Sequence, residues 1–487
     1  MIDSLTEKDA LNPATPDESV CFMSVEKLSE ALARGEFTSR ELVETHLRRI
    51  DRINPALNAY VTVLHDDALV AADASDRRRR EGTTLGPLDG VPVSVKDVEA
   101  MAGVRFTMGL RPMSDNVSTS DPVHIRSFRD AGAVILGKTN TPEMGHKGVT
   151  DNLLFGPTLN PHRLTHNAGG SSGGAASSVA SGLAVLAQGS DGGGSLRIPA
   201  AMSGVVGMKA SAFAVPEERR PDGFQQSVPF QSIGALARDV SDARFVTTLF
   251  AATPNRDPAW APMPSRSGRR VDEMTIGFDA TLGNFPVSGE VSAATWAALS
   301  GLSSRFAISE LQTNLPDHEE LAELWRRLIS VQTAFNAQSL AESGVDLLRD
   351  YRDQIPDELA SLIETGFSLS AVEHRHDNAA RTLVYDLIEG ALDRVDVIAT
   401  PTLTVAGVPN GTWGRTVGPS SIEGRAVEST IGWSLTYPLN FTGHPAISIP
   451  LPTRIDGLPL GLQLIGRRWS DLDLLDLAGA FEEAFAA

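Results

Sequence analysis

Between Ala168 and Met208 the chain runs for 41 residues with only two charges, Asp191 and Arg197, although 21% of all residues are charged. Two clusters stand out in this tract, Gly169-Gly170-Ser171-Ser172-Gly173-Gly174 and, some twenty residues on, Gly192-Gly193-Gly194-Ser195. Consecutive glycines ahead of a serine free several backbone N–H groups to converge on one point, which is what stabilising an oxyanion requires. Ser195 is therefore the natural nucleophile. A serine hydroxyl is weak until a base takes its proton, and none of the ten scattered histidines stands at a recognisable spacing from Ser195. Lys96, which ends the apolar run Val91 to Val95, offers another base, because a lysine held away from water favours its neutral form. An ordinary snorkelling or ion-paired lysine is the alternative at that position.

The elements that must position these groups read as alternating strands and helices. Short apolar runs at Val91 to Val95, Ala133 to Leu136, Thr275 to Phe278, Val395 to Ala399, Ala446 to Ile449 and Gly461 to Ile465 predict buried strands. Helices are predicted over His124 to Ala131, Glu319 to Glu342 and Asp471 to Phe485, where apolar residues recur at three and four. Two more span Ser24 to Tyr60, the second opened by a capping box of Thr38 with Glu41 and ending at Asn54-Pro55. The fold class that follows is α/β, a large mixed sheet covered on both faces by helices. The tract around Ser171 and Ser195 is too rich in Val, Leu and Ile for a flexible linker, so it reads as a packed scaffold in which glycines let backbones approach closely. The Pro-rich passage 253–270 reads as a surface connection, too weak to divide the chain.

Composition narrows the classes further. The 487 residues are 41% hydrophobic and 6% aromatic, as in a globular protein, and 42 basic against 61 acidic residues give a net charge of −19. That charge argues against nucleic acid or an anionic membrane as partner. Ala168 to Ser190 is uncharged, but its Gly, Ser and Gln content rules out a membrane span. One cysteine, Cys21, and a polar start without a signal-peptide core predict a cytoplasmic protein, with Cys21 inert. Arg77 to Arg80 reads as a solvated helix surface.

The residues GGSSGGAASSVASGLAVLAQGSDGGGSLRIPAAMSGVVGMK resemble the signature segment of the amidase signature family. The likeness extends upstream through LDGVPVSVKD (88–97), GAVILGKTNTP (132–142) and NLLFGPTLNP (152–161). It returns in DVIATPT (396–402), PLNFTGHPAISIP (438–450) and GLPLGLQLIG (457–466), with 250–390 least informative. It implies a single amidase signature domain over 1–487, with N-terminal helices about 24–80, a signature core about 85–210 and a variable, substrate-covering helical region about 290–390.

Carried over residue by residue, the resemblance implies a Ser-cisSer-Lys triad with Ser195 as nucleophile, Ser171 as the bridging cis-serine and Lys96 as base. It also implies oxyanion donors in the backbone N–H groups of Gly192, Gly193, Gly194 and Ser195, with Ser172 and Asp191 in support. Gly145 and His146 fall where family members contact substrate. The sequence departs from the family pattern at Ser190 and Gly192, where threonines are commoner, at Met208-Lys209-Ala210, which lacks a proline, and at His162, where an aromatic usually follows Asn-Pro. None of these touches the triad.

Four other motifs carry competing chemistry. Gly132 to Thr139 fits the P-loop expression, but its Ala133 to Leu136 is itself the apolar strand and a helix precedes it. Gly169 to Gly173 fits the nucleophile-elbow pattern, yet Leu164 to Ala168 does not read as the strand an elbow needs. Ser24 to Lys27 fits S-x-x-K at the start of a surface helix. His162 with His166, and His374 with His376, have metal-like spacing without matching carboxylates, and read as solvated.

The function expected is a serine amidohydrolase, with neither metal nor cofactor, that cleaves carboxamide C–N bonds of aryl or alkyl amides, with carbamates a further possibility, through an acyl-enzyme on Ser195. Its partners would be small-molecule substrates only, with the chain a monomer or homodimer. The alternative is a glutamine-amidotransferase of the A type, working with partner subunits on charged tRNA. That subgroup usually reads Ile-Arg-Gln-Pro-Ala where this chain has Leu196-Arg197-Ile198-Pro199-Ala200, and its serine-rich stretch is not visible in Pro221 to Gly234.

Overall fold

The computed structural model describes residues 6–219, 223–224 and 231–486; most of the stretch from Pro221 to Gly234 lies outside them. The strands in chain order are β1 (Tyr60–Val63), β2 (Pro92–Lys96), β3 (Val134–Thr139), β4 (Leu159–Asn160), β5 (Arg163–Asn167), β6 (Leu186–Asp191), β7 (Val206–Lys209) and β8 (Ser232–Ala237). They continue as β9 (Thr275–Phe278), β10 (Ala307–Glu310), β11 (Val397–Pro401), β12 (Ser421–Ile422), β13 (Arg425–Ala426), β14 (Ala446–Ile455) and β15 (Leu458–Ile465). One 11-stranded sheet has the order β1-β3-β2-β6-β8-β7-β14-β15-β11-β9-β10, and β4–β5 and β12–β13 are separate two-stranded ribbons. Within the sheet β2 is parallel to β3 and β6, and β9 to β10 and β11. The remaining pairings are antiparallel.

Every residue of β2, β3, β6, β7, β8, β11 and β15 is buried. Side chains alternate across the sheet: Val397 and Ala399 enter one core cluster and Ile398 the other, as Leu462 and Leu464 part from Ile465. Helices Val240–Ala251 and Asp471–Ala486 close the first face through Val246, Phe250, Leu474 and Phe481. Helices His318–Glu342 and Ala371–Leu392 close the second through Trp325, Leu328, Val384 and Ile388. The mixed sheet covered on both faces is thus observed. The sequence pattern missed β6, β7 and β8 because their Gly, Ser and Gln break the apolar run. Their neighbours, not their own side chains, make them strands.

Several local expectations need correction. The helix expected to stop at Asn54-Pro55 runs Ser39–Leu57 with Pro55 inside its last turns and ends at Asn58 in the left-handed region, φ 53°. Asn54 then bridges onward, accepting from Tyr60 N at 2.7 Å and donating to Tyr60 O at 3.0 Å. Leu164 to Asn167 does belong to a strand, β5, but in the β4–β5 ribbon and not in the main sheet. Arg78 is not merely solvated: its Nε donates to Asp89 Oδ2 at 3.0 Å, and Asp89 is fully buried. His162 is half-buried, its Nε2 2.9 Å from Ser203 O and its Nδ1 2.7 Å from Arg454 Nη1.

The decoy motifs resolve into structure. Gly132 leads directly into β3, and Lys138 within that strand donates to Asp97 Oδ1 at 3.1 Å and Glu99 O at 2.6 Å. Ser24 caps helix Val25–Arg34. Cys21 is buried, which pushes its thiol up to about 12. Among the described residues no helix is long and apolar enough to cross a membrane.

The packed-scaffold reading of the glycine–serine tract fits the contacts. A Cβ on Gly170 would stand 2.5 Å from the carbonyl carbon of Val149, and one on Gly174 would collide with the backbone of Asn140 and Ala59. All but Ala180 of helix Gly173–Ala180 is buried. Small residues there let the loop carrying Ser171 sit against the Val149 backbone and under the ends of β2 and β6.

Candidate active site

Lys96 is the last residue of β2, and Ser190 is the last but one of the parallel neighbour β6, so both lie at the C-terminal ends of adjacent strands. Lys96 Nζ lies 2.6 Å from Ser171 Oγ and 3.3 Å from Ser190 Oγ. The peptide bond from Gly170 to Ser171 is cis. Lys96 is fully buried, and among the described residues no carboxylate forms an ion pair with it. Burial lowers the amine to about 7, with only weak opposition from the charges of Glu99 and Asp191. Lys138, one strand away, is equally buried but salt-bridged to Asp97. Of these two, Lys96 alone is set up to be neutral near pH 7.

Ser195 lies four residues past the end of β6, partly buried, and its hydroxyl makes no hydrogen bond among the described residues. Ser172 Oγ donates to Ser190 O at 3.4 Å, tying the Ser171 loop to the strand that leads into Ser195. A Cβ on Gly145, which has φ +70°, would stand 3.2 Å from Ser171 Oγ, so Gly145 borders the hydroxyl closely. His146 is not brought there. It is buried with Nδ1 2.7 Å from Glu143 O and Nε2 3.8 Å from Glu358 Oε1, beside the Lys147–Glu358 ion pair of 3.0 Å.

Asp191 organises the glycine loop. Its Oδ1 accepts from Gly194 N at 2.7 Å and its Oδ2 from Leu196 N at 3.3 Å. Arg197 Nε and Nη2 grip the same carboxylate at 3.0 and 2.9 Å. The other Arg197 hydrogens go to Thr436 O at 2.8 Å, Gln463 Oε1 at 2.7 Å and Asn440 Oδ1 at 2.8 Å, which satisfies all the donors a guanidinium has. Burial alone would raise the Asp191 carboxyl, but Arg197 holds it down to about 2. Both residues are fully buried.

This geometry corrects one expectation. Gly194 N–H, counted among the oxyanion donors, is committed to Asp191, whose carboxylate stands three residues before it and is fixed by Arg197. The N–H groups of Gly192, Gly193 and Ser195 have no acceptor among the described residues. They remain as the donors that could meet a developing negative charge.

Removing the cation from this buried pair leaves an uncompensated buried carboxylate, which costs about 3–5 kcal/mol. Arg197→Met is therefore expected to lower the unfolding free energy by about that much in a denaturant titration. A loss under about 1 kcal/mol would show that the pair does not hold this region together.

Four residues that hold the loop went unremarked in the sequence: Trp325, Thr436, Asn440 and Gln463. Gln463 is a lone uncharged polar residue inside an otherwise apolar stretch, a pattern that signals a buried hydrogen-bond partner, whereas Thr436 and Asn440 stand among other polar residues, Ser434 and Thr442. Trp325 carries no such signal.

A sequence model of the family described as Amidase matches residues 41–475. The chain is 33% identical over 479 residues to an acylamidase of Rhodococcus erythropolis, covering 96% of each chain. It is 32% identical over 484 residues to the A-type component of the glutamyl-tRNA(Gln) amidotransferase of Moorella thermoacetica, covering 95% of this chain and 96% of the other. Among solved structures, a bacterial aryl acylamidase of the amidase signature enzymes family superposes with TM-score 0.91 at 36% identity, covering 96% of this chain and 97% of that one.

Proposed function

We propose, from the premise that this chain belongs to the amidase family, that it hydrolyses carboxamide C–N bonds of small molecules through an acyl-enzyme on Ser195. The observation that carries the reading is the buried, carboxylate-free Lys96 amine 2.6 Å from Ser171 Oγ, beside a glycine loop that ends in Ser195. In the first half-reaction neutral Lys96 takes the Ser171 proton, Ser171 takes the Ser195 proton, and Ser195 Oγ bonds to the amide carbon. The carbonyl oxygen gains charge where the N–H groups of Gly192, Gly193 and Ser195 can stabilise it. When the C–N bond breaks, the relay returns the proton to the leaving amine, and water then releases the acid by the same path. Base, nucleophile and oxyanion donors all come from the chain, so the reading calls for neither metal nor cofactor.

Similarity to an acylamidase and an aryl acylamidase favours aryl or alkyl acylamides as substrates. Carbamates present the same carbonyl to the same groups. We place the enzyme in the cytoplasm, working on small molecules without nucleic acid or membrane, as a monomer or homodimer. The deciding experiment compares release of 4-nitroaniline from an acyl anilide and from a carbamate of the same aniline, with Ser195→Ala as control. Ser195-dependent release from the isolated chain is expected, and the ratio of the two rates reports whether the site takes carbon or alkoxy on the carbonyl. Failure to cleave these or simple aliphatic amides would overturn the stand-alone reading in favour of the partner-dependent amidotransferase, to which the chain is also similar.

A further inference from the structure

The four carbonyls that run through the glycine loop are all held, three by distant side chains and the last by the helix that follows. Asp191 O accepts from Asn440 Nδ2 at 2.9 Å, and Gly192 O from Trp325 Nε1 at 3.4 Å. Gly193 O accepts from Thr436 Oγ1 at 2.6 Å, and Gly194 O from Ile198 N at 2.6 Å. In a trans peptide the C=O and the N–H of the next residue point in opposite directions. Fixing each carbonyl therefore aims the following N–H away from its clamp. The Asn440 clamp directs Gly192 N–H, the Trp325 clamp Gly193 N–H, and the Ile198 clamp Ser195 N–H. The Thr436 clamp directs Gly194 N–H, which lands on Asp191.

The packing leaves the loop little freedom to turn. A Cβ on Gly193 would stand 2.8 Å from Trp325 Nε1, and one on Gly194, which has φ +129°, would collide with the Thr436 side chain. Thr436 is fully buried, and Trp325 is 4% exposed. A carbonyl can only accept, and at 2.6 Å Gly193 O takes the Thr436 hydroxyl hydrogen ahead of Ser434 Oγ at 3.1 Å.

We infer that Thr436 and Trp325 are positioning residues for amide hydrolysis: they hold the carbonyls of Gly193 and Gly192 so that the loop's free N–H groups converge on the substrate's oxyanion. The inference rests on Ser195 being the nucleophile. Each side chain meets the loop at a carbonyl, Thr436 at Gly193 O and Trp325 at Gly192 O. Both act through the backbone, Thr436 by pinning the Gly193–Gly194 peptide, one of the two peptides that lie between the donors Gly193 and Ser195, and Trp325 by pinning the peptide that supplies Gly193 N–H.

The test uses a fluorophosphonate, which needs no knowledge of the natural substrate. Ser195 Oγ bonds to phosphorus, fluoride leaves, the hydroxyl proton passes to the Ser171–Lys96 relay, and the phosphoryl oxygen occupies the oxyanion position. The rate constant for labelling is measured for the wild type, Thr436→Val, Thr436→Ser, Trp325→Phe and Ser195→Ala, with thermal unfolding followed in parallel. Loss of one oxyanion donor costs about 10²–10³ in rate, and loss of its aim a part of that, so Thr436→Val is expected to label about 10- to 100-fold more slowly. Thr436→Ser keeps the hydroxyl and is expected to stay within a few-fold of wild type. A packing role predicts the reverse order, since valine preserves the volume and serine leaves a cavity. Valine equal to or faster than serine therefore overturns the proposal for Thr436. Trp325→Phe keeps a ring and removes the donor, and an unchanged labelling rate removes the indole from the clamp. Labelling that persists in Ser195→Ala overturns the nucleophile assignment and the inference with it, whereas Ser195-dependent labelling with no valine effect overturns the inference alone.

Discussion

Replacing Ser195 by alanine is expected to remove amide turnover, lowering kcat/KM by about 10⁴-fold or more while leaving the fold intact. Ser195 is partly buried and its hydroxyl makes no hydrogen bond among the described residues, so its loss breaks no hydrogen bond that the structure depends on. Substrate should still bind, because the N–H groups of Gly192, Gly193 and Ser195 belong to the backbone and survive the change. Separating the two effects takes a turnover assay together with a binding measurement on the same variant. Turnover within tenfold of wild type would dismiss Ser195 as nucleophile.

The second large effect is expected at Lys96, with a direction set by charge. Burial lowers the amine to about 7, so the neutral, proton-accepting form dominates above that pH and the ammonium below it. The rate should rise with pH through about 7 and fall tenfold for each unit below, as one essential base becomes protonated. Lys96→Met should cost about 10³-fold or more and abolish that acid limb. Lys96→Arg should not rescue, since a guanidinium keeps its positive charge and cannot accept the Ser171 proton. A wild-type profile that stays flat down to pH 5 would exclude Lys96 as the base. The local geometry also says why Lys96 differs from its neighbour. Lys138 has Asp97 at 3.1 Å, while Lys96 has only hydroxyls within reach.

Much of the site was legible because its parts are local. The Ser171 loop and the Gly192 to Ser195 loop are continuous stretches whose residue types already state that backbones must pack closely and that N–H groups must be left free. The strands ending at Lys96 and Ile465 were legible because strands buried on both faces read as near-continuous apolar runs, here interrupted only by Ser94 and Gln463. Strand β6 was not, because Gln188, Gly189 and Ser190 break the apolar run that would have marked it. The destination of Gly194 N–H was a missed local signal: an aspartate can accept the N–H three residues on, as N-cap side chains do. Arg78 misled for the opposite reason, since a run of four arginines looks solvated until Asp89 is folded against it.

The sequence by itself determined which groups could do chemistry: a serine after three glycines, a second serine in a glycine pair, and a lysine closing an apolar run. It also determined that these stretches must be densely packed, because charge is excluded from them and small residues fill them. Only the tertiary structure decided whether they act together. Lys96 and Ser171 are 75 residues apart in the chain and 2.6 Å apart in space, and burial with no carboxylate paired to it is what lowers the amine to about 7. Likewise Thr436 reaches the glycine loop across 243 residues and Trp325 across 133. A pKa and a peptide's orientation depend on what surrounds a group in three dimensions, and no spacing along the chain encodes that.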